Sequence, residues 1–140
     1  MRIPIVAERG LEPVRVHPGD AGADLRAAES AVVPAHGRVG VRTGVRIGIP
    51  FGYVGLVHPR SGLALRSGVT VLNAPGTVDH GYTGEVKVIL HNTTDDPFEV
   101  RVGDRIAQLL VQEVELPEFE VVEALEESSR GEGGFGSTGS

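Results

Sequence analysis

Short alternating stretches cut apart by glycine leave this chain little choice but short strands joined by tight turns. Arg38-Val39-Gly40-Val41-Arg42 puts Val39 and Val41 on one face, the period of two that a half-buried strand requires. Glu85-Val86-Lys87-Val88-Ile89-Leu90 sends Val86, Val88 and Leu90 inward and starts with Glu85 and Lys87 outward. Phe98-Glu99-Val100-Arg101-Val102 repeats the scheme, and the more continuously apolar run from Arg105 to Val114 reads as a central strand. Gly48, Gly52, Gly68, Gly76, Gly81 and Gly103 fall between or at the ends of these runs, where turns are needed. With 20 glycines among 140 residues, about twice the ordinary share, and 9 prolines, the elements must be many and brief. The expectation is an all-β domain, a sandwich or barrel of the kind that includes jelly rolls.

Two stretches break the pattern. Ser61-Gly62-Leu63-Ala64-Leu65-Arg66-Ser67-Gly68 has a capping candidate in Ser61, good helix formers and a glycine stop, so it predicts one short helix. Residues 128–140 are rich in Gly and Ser with no hydrophobic period, which predicts a flexible arm following a domain over 1–127. The acidic run from Glu113 to Glu127 reads as a solvated face leading into that arm.

The chain contains no cysteine, so disulfides, thiol chemistry and Cys-based zinc sites are excluded. Its histidines show no metal-ligand spacing. Met1-Arg2-Ile3-Pro4-Ile5-Val6 lacks the apolar core of a signal peptide and no run approaches membrane-spanning length, so a cytoplasmic protein without a membrane partner is expected. A formal net charge of −6 opposes binding to a nucleic-acid backbone. It does not oppose binding a small polyanion, because arginines can be gathered locally.

Several segments carry groups suited to such a ligand. Arg130-Gly131-Glu132-Gly133-Gly134-Phe135-Gly136-Ser137-Thr138-Gly139 holds a formal G-x-G-x-x-G, but no strand and helix flank it, and Ser137 stands where a P-loop needs lysine. Its bare N–H groups, the Ser137 and Thr138 hydroxyls and the Arg130 guanidinium can still wrap phosphates. Phe135 has no core to join there and suits stacking on a nucleobase. Arg60, Ser61 and Gly62 offer donors at the start of the short helix. The stretch from Asn73 to Tyr82 reads as a hairpin with a bent tip, where Asp79 is placed to orient a water. Gln108 is the polar exception in its strand, on the face opposite Ala107 and Leu109, and Asp24 reads as a turn or cap residue.

Each segment alone is ordinary. In this order Ala21-Gly22-Ala23-Asp24-Leu25, Pro59-Arg60-Ser61-Gly62-Leu63-Ala64-Leu65-Arg66, Gly76-Thr77-Val78-Asp79-His80-Gly81-Tyr82-Thr83-Gly84-Glu85, Gly103-Asp104-Arg105-Ile106-Ala107-Gln108 and the Arg130–Gly139 stretch resemble the five motifs of the trimeric dUTPase family. The resemblance implies a jelly-roll subunit in a homotrimer, with active sites at subunit interfaces and the arm closing over them. It implies hydrolysis of dUTP to dUMP and pyrophosphate with Mg²⁺, Asp79 polarising the attacking water. Tyr82 would lie under the deoxyribose, and Asn73 with the backbone beyond it, through Gly76, Thr77 and Val78, would read uracil. Arg60, Ser61, Gly62, Lys87, Gln108, Arg130, Gly136, Ser137 and Thr138 would contact substrate, Phe135 would stack as a lid, and Asp24 would hold the Mg²⁺ through water. The rivals are a dCTP deaminase or bifunctional relative, which shares the fold, and a nucleotide-binding regulatory protein without turnover.

Overall fold

The computed structural model describes residues 1–139. Of the arm expected over 128–140, the last residue therefore lies outside the described ones. Among the described residues the strands are β1 (Ile5–Ala7), β2 (Ala23–Arg26), β3 (Ala31–Val33), β4 (Arg38–Arg42), β5 (Val45–Ile47), β6 (Tyr53–His58), β7 (Val69–Val71), β8 (Gly76–Val78), β9 (Lys87–Asn92), β10 (Phe98–Val100) and β11 (Arg105–Glu113), with one helix, α1 (Ser61–Ser67), between β6 and β7. They form a four-stranded sheet in the order β2-β11-β6-β8, a three-stranded sheet β4-β9-β7, and the two pairs β1-β5 and β3-β10. β2 to β11 send buried residues into one shared core, among them Leu25, Val33, Val41, Val45, Val88, Leu90, Val100 and Ile106, and Ala7 of β1 packs against it. This is the expected all-β, jelly-roll-like subunit with a single short helix. No helix among the described residues is long and apolar enough to cross a membrane.

The alternation read from the sequence places Val86, Val88 and Leu90 inward, at 3%, 0% and 1% exposure, so the period of two sets this strand's core face. β11 runs through the middle of its sheet, between β2 and β6, as its apolar character predicts. A register shift against β2 between Arg105 and Ala107 lets the consecutive Ile106 and Ala107 both face the core. Strict alternation then resumes, and Gln108 turns to the opposite face from Ala107 and Leu109.

Four details depart from the sequence reading. Arg60, not Ser61, occupies the N-cap position of α1, with extended backbone angles and no side-chain capping bond. Gly68 ends the helix in the left-handed conformation, as expected. The stretch from Asn73 to Tyr82 is not a simple hairpin: it contains β8, which pairs with β6 while β7 pairs with β9, so the chain here crosses from one sheet to another. The strand expected over Phe98–Val102 stops at Val100, because Arg101–Asp104 closes a turn in which the Asp104 N–H donates to the Arg101 carbonyl and Val102 is exposed. Finally, the segment after Glu113 is not merely a charged face. Leu116, Phe119, Val121 and Leu125 stand exposed along it, uncovered by their own chain.

Candidate active site

The segments singled out in the sequence, the arm excepted, assemble into two cavities at opposite edges of the four-stranded sheet, with no lining residue in common. The first, about 350 Å³, lies at the β8 edge and is lined by Asn73, Gly76, Thr77, Val78, Asp79, Tyr82 and Lys87, together with Gly40, Val57, Glu85, Val86 and Ile89. Its wall is backbone: Gly76 and Val78 are buried and pair with Val57 and Gly55 of β6, which turns Thr77 outward. Beyond β8 the chain bends back, the Tyr82 N–H donating to the Asp79 carbonyl at 3.2 Å.

His80 pins this bend from outside. Its Nδ1 lies 2.8 Å from the Ile49 carbonyl, and its ring meets Phe51 edge-on with centroids 5.8 Å apart. A carbonyl only accepts, so Nδ1 carries the proton. Tyr82 stays half exposed, and its hydroxyl donates to the Glu85 carbonyl at 3.0 Å.

The second cavity, about 390 Å³, lies at the β2 edge and gathers Asp24, Arg60, Ser61, Gly62 and Gln108 with Val16, Asp20, Ala21 and Gly22. Here charge organises the site. Arg60 Nε donates to Asp24 Oδ1 at 3.1 Å and Arg105 Nη1 to Asp24 Oδ2 at 3.3 Å, so both oxygens of a carboxylate only 13% exposed are held by guanidinium groups. Arg60 Nη1 also donates to the Arg105 carbonyl at 3.3 Å. The half-buried Gln108 amide donates to the Pro59 carbonyl at 3.0 Å. Gly22 makes room for it, since a Cβ there would run into Gln108 Oε1.

The arm residues line neither cavity. Glu115 to Glu132 are all exposed, and residues 129–132 and 135–138 form turns, with Arg130 Nε donating to the Gly133 carbonyl at 2.9 Å. Phe135 is fully exposed and has a positive φ of 50°.

Sequence reasoning passed over Arg105, His80 and Gly22, although all three lie within the motifs quoted above. It also placed Glu85 facing outward. In the structure Glu85 Oε2 accepts from Arg42 Nε at 3.1 Å and Oε1 from the Gly44 N–H at 2.7 Å. Burial is the largest single influence on the Glu85 carboxyl and would raise its pKa. The hydrogen bonds from Arg42 and Gly44 and the charges of Arg42 and Lys87 together outweigh it and hold the pKa below the usual value. Arg42 is correspondingly raised, first by its hydrogen bonds to Glu85 and Glu8.

Among the described residues no group of three or more His, Cys, Asp or Glu side chains is arranged to hold a metal ion. The second cavity has a different character. It offers one anchored carboxylate, Asp24, beside two arginines and an amide, a donor set suited to a polyanion that brings its own cation.

The chain resembles known proteins both in sequence and in fold. The pattern of the dUTPase family matches residues 11–139. A deoxyuridine 5'-triphosphate nucleotidohydrolase from Nocardia farcinica is 58% identical over 128 residues, covering 91% of this chain and 78% of the relative. One from Leifsonia xyli subsp. xyli is 53% identical over 138 residues, covering 98% and 90%. Among solved structures, a dUTPase of Staphylococcus bacteriophage 80alpha with dUpNHpp superposes with a TM-score of 0.90 at 28% identity, covering 99% of both chains. A dUTPase from phage phi11 of S. aureus, described with a coordinated structural Mg(II) ion, superposes with a TM-score of 0.81 at 25% identity, covering 91% of this chain and all of the other.

Proposed function

The chain belongs to the dUTPase family, and from that premise we propose that it hydrolyses dUTP to dUMP and pyrophosphate, removing a source of uracil in DNA and supplying dUMP for thymidylate synthesis. The observation that carries the reading is the sorting of motif residues into two separate cavities. One has the volume and backbone lining for a nucleoside, the other has the arginine and amide for a triphosphate. A single subunit holds these halves at opposite edges of one sheet. A complete site therefore needs the first cavity of one subunit against the second of another, which supports a homotrimer with shared sites.

Asp79, at the mouth of the first cavity, orients a water toward the α-phosphorus. The water oxygen forms a bond to phosphorus, the bond to the bridging oxygen of pyrophosphate breaks, and the water's proton passes toward Asp79 and solvent. Asn73 and the main chain of Gly76, Thr77 and Val78 read uracil. Cytosine's exocyclic amine would leave buried donors unpaired, and thymine's methyl would meet the wall of β8. The Tyr82 ring lies under the deoxyribose and leaves no space for a 2'-hydroxyl, while Lys87 adds a cation beside the first cavity.

Arg60, Ser61, Gly62 and Gln108 receive the phosphates. Arg60 then exchanges its bond to Asp24 for one to phosphate, and Arg105 keeps Asp24 in place. Asp24 would hold Mg²⁺ through water on the triphosphate, and the bound ion would neutralise phosphate charge. The arm, residues 128–140, closes over the site: Phe135 stacks on the base, and Arg130, Gly136, Ser137 and Thr138 contact phosphate. Ordering it costs conformational entropy that these contacts must offset.

Pyrophosphate release with Mg²⁺, measured for dUTP, dTTP, dCTP and UTP at equal concentration, tests the reading. Rapid release from dUTP alone is expected. Ammonia release from dCTP would move the assignment to the deaminase relatives, and a folded trimer that releases nothing would make it a binding protein.

A further inference from the structure

Tyr82 rests on a scaffold that begins within its own motif and reaches beyond it to Arg42. Its hydroxyl donates to the Glu85 carbonyl at 3.0 Å, and its ring lies so close over Gly84 that a Cβ there would collide with the phenol. The ring's tilt is thus set by two backbone points, Gly84 and the carbonyl of Glu85. That carbonyl cannot drift freely, because the Glu85 side chain is tied at both ends of its carboxylate, by the Gly44 N–H at 2.7 Å and by Arg42 Nε at 3.1 Å.

Arg42 is itself fixed from three sides. Its Nη2 donates to Glu8 Oε1 at 2.6 Å, its own N–H donates to Glu29 Oε1 at 3.0 Å, and β4 pairs it with Lys87 of β9. Segments that meet only in the folded chain therefore converge on the loop that carries Tyr82. The Glu85 side chain is only 19% exposed, while Arg42, at 39%, reaches it from the surface.

We propose that Arg42 and Glu85 are positioning residues for sugar selectivity: by anchoring the Glu85 carbonyl they hold the Tyr82 ring at the height that excludes a 2'-hydroxyl. This rests on the reading of Tyr82 as the platform under the deoxyribose. Without the anchor the loop between Tyr82 and β9 gains freedom, the ring drops, and a ribose fits. The outcome is a loss of discrimination rather than a loss of the chemistry at Asp79.

The test is kcat/KM for dUTP and for UTP in the full-length protein, with the ratio of the two as readout, a quantity that a general loss of folded protein leaves unmoved. Arg42→Ala is expected to lower the dUTP/UTP ratio about three- to tenfold, the range of one net hydrogen bond. The change should appear mainly as a lower KM for UTP. Glu85→Gln retains an acceptor for Gly44 and a neutral partner for Arg42, and should preserve most of the ratio. Tyr82→Phe removes the hydroxyl that reads the anchor, so adding Arg42→Ala to it should lower the ratio no further.

If Tyr82→Ala relaxes selectivity and Arg42→Ala does not, the inference is wrong and the platform reading stands. If Tyr82→Ala leaves the ratio unchanged, the platform reading itself fails. Additive losses in the double variant would overturn the route through the hydroxyl. Should Arg42→Ala not fold, Glu85→Ala compared with Glu85→Gln decides the question in its place: an equal ratio in both refutes the anchor, and a loss confined to Glu85→Ala supports it.

Discussion

The cavity beside β8 and the cavity beside β2 lie on opposite edges of one sheet, yet different forces hold their residues. Along the β8 wall of the first, position comes from the backbone, β8 being locked to β6 over Gly76, Thr77 and Val78, while the Tyr82 loop beside it leans on the Arg42–Glu85 pair. Around the second, position comes from side chains, with Asp24 shared between Arg60 and Arg105 and the Gln108 amide tied to Pro59. A wall of paired backbone can discriminate by shape and responds little to ionic strength. A cluster of ion pairs can exchange partners when a more highly charged anion arrives, at the cost of sensitivity to salt. The protein thus keeps rigidity where a base and sugar would be read, and exchangeable contacts where phosphates would bind.

The comparison breaks most sharply at Asp79. Asp79→Asn should lower turnover on the order of 10²- to 10⁴-fold while dUTP still binds through both cavities. Near-normal turnover in a stopped-flow assay would remove the water-orienting role.

Deleting residues 130–140 touches neither cavity. It should leave a folded trimer by light scattering, with kcat/KM lowered about a hundredfold, from lost stacking of about 1–3 kcal/mol and lost charged hydrogen bonds. Normal hydrolysis by the truncated protein would rule out the lid.

Gly22→Ala probes the second cavity alone. It displaces the Gln108 side chain and should cost about tenfold or more in kcat/KM for dUTP, with the dUTP/UTP ratio unchanged. A shift in that ratio would show that the two cavities are not independent.

The smallest effect is on stability against pH. The folded pKa of Glu85 lies below its ordinary value, so its contribution is fully present above the unfolded value of about 4.3 and disappears as pH falls through the folded value. For so exposed a network, shared with Arg42 and Glu8, this is under about 1 kcal/mol. Thermal melts across pH 3–6 should show a shallower acid-side loss for Glu85→Gln than for the parent, and identical slopes would exclude the linkage.

Much of the fold was legible because its signals are local. The inward set Val86, Val88 and Leu90, the central strand beginning at Arg105, and the helix closed by Gly68 all follow from residues within a few positions of one another. The misreadings came where a partner is distant. Alternation points Glu85 to solvent, but Arg42, 43 positions away, meets it. Ser61 resembles a helix cap, but the chain leaving β6 puts Arg60 in that position and turns its guanidinium to Asp24. The stretch from Asn73 to Tyr82 has the turn residues of a hairpin, while its strand pairs with β6 instead of its neighbour β7.

The candidate site divides in the same way. Asp24, Arg60, Asp79, Tyr82, Gln108 and the glycine-rich arm, each ordinary by itself, were marked by the ordered resemblance to a family, because motif order and spacing are written in the sequence. That Arg105 reaches Asp24 across 81 positions, and that the marked residues separate into two cavities with the arm outside both, emerged only from the folded chain. Those relations depend on which strands pair and in which register. Register is settled by burying a single shared core, in which residues such as Leu25, Val57, Val88 and Ile106 from four different strands must be satisfied together.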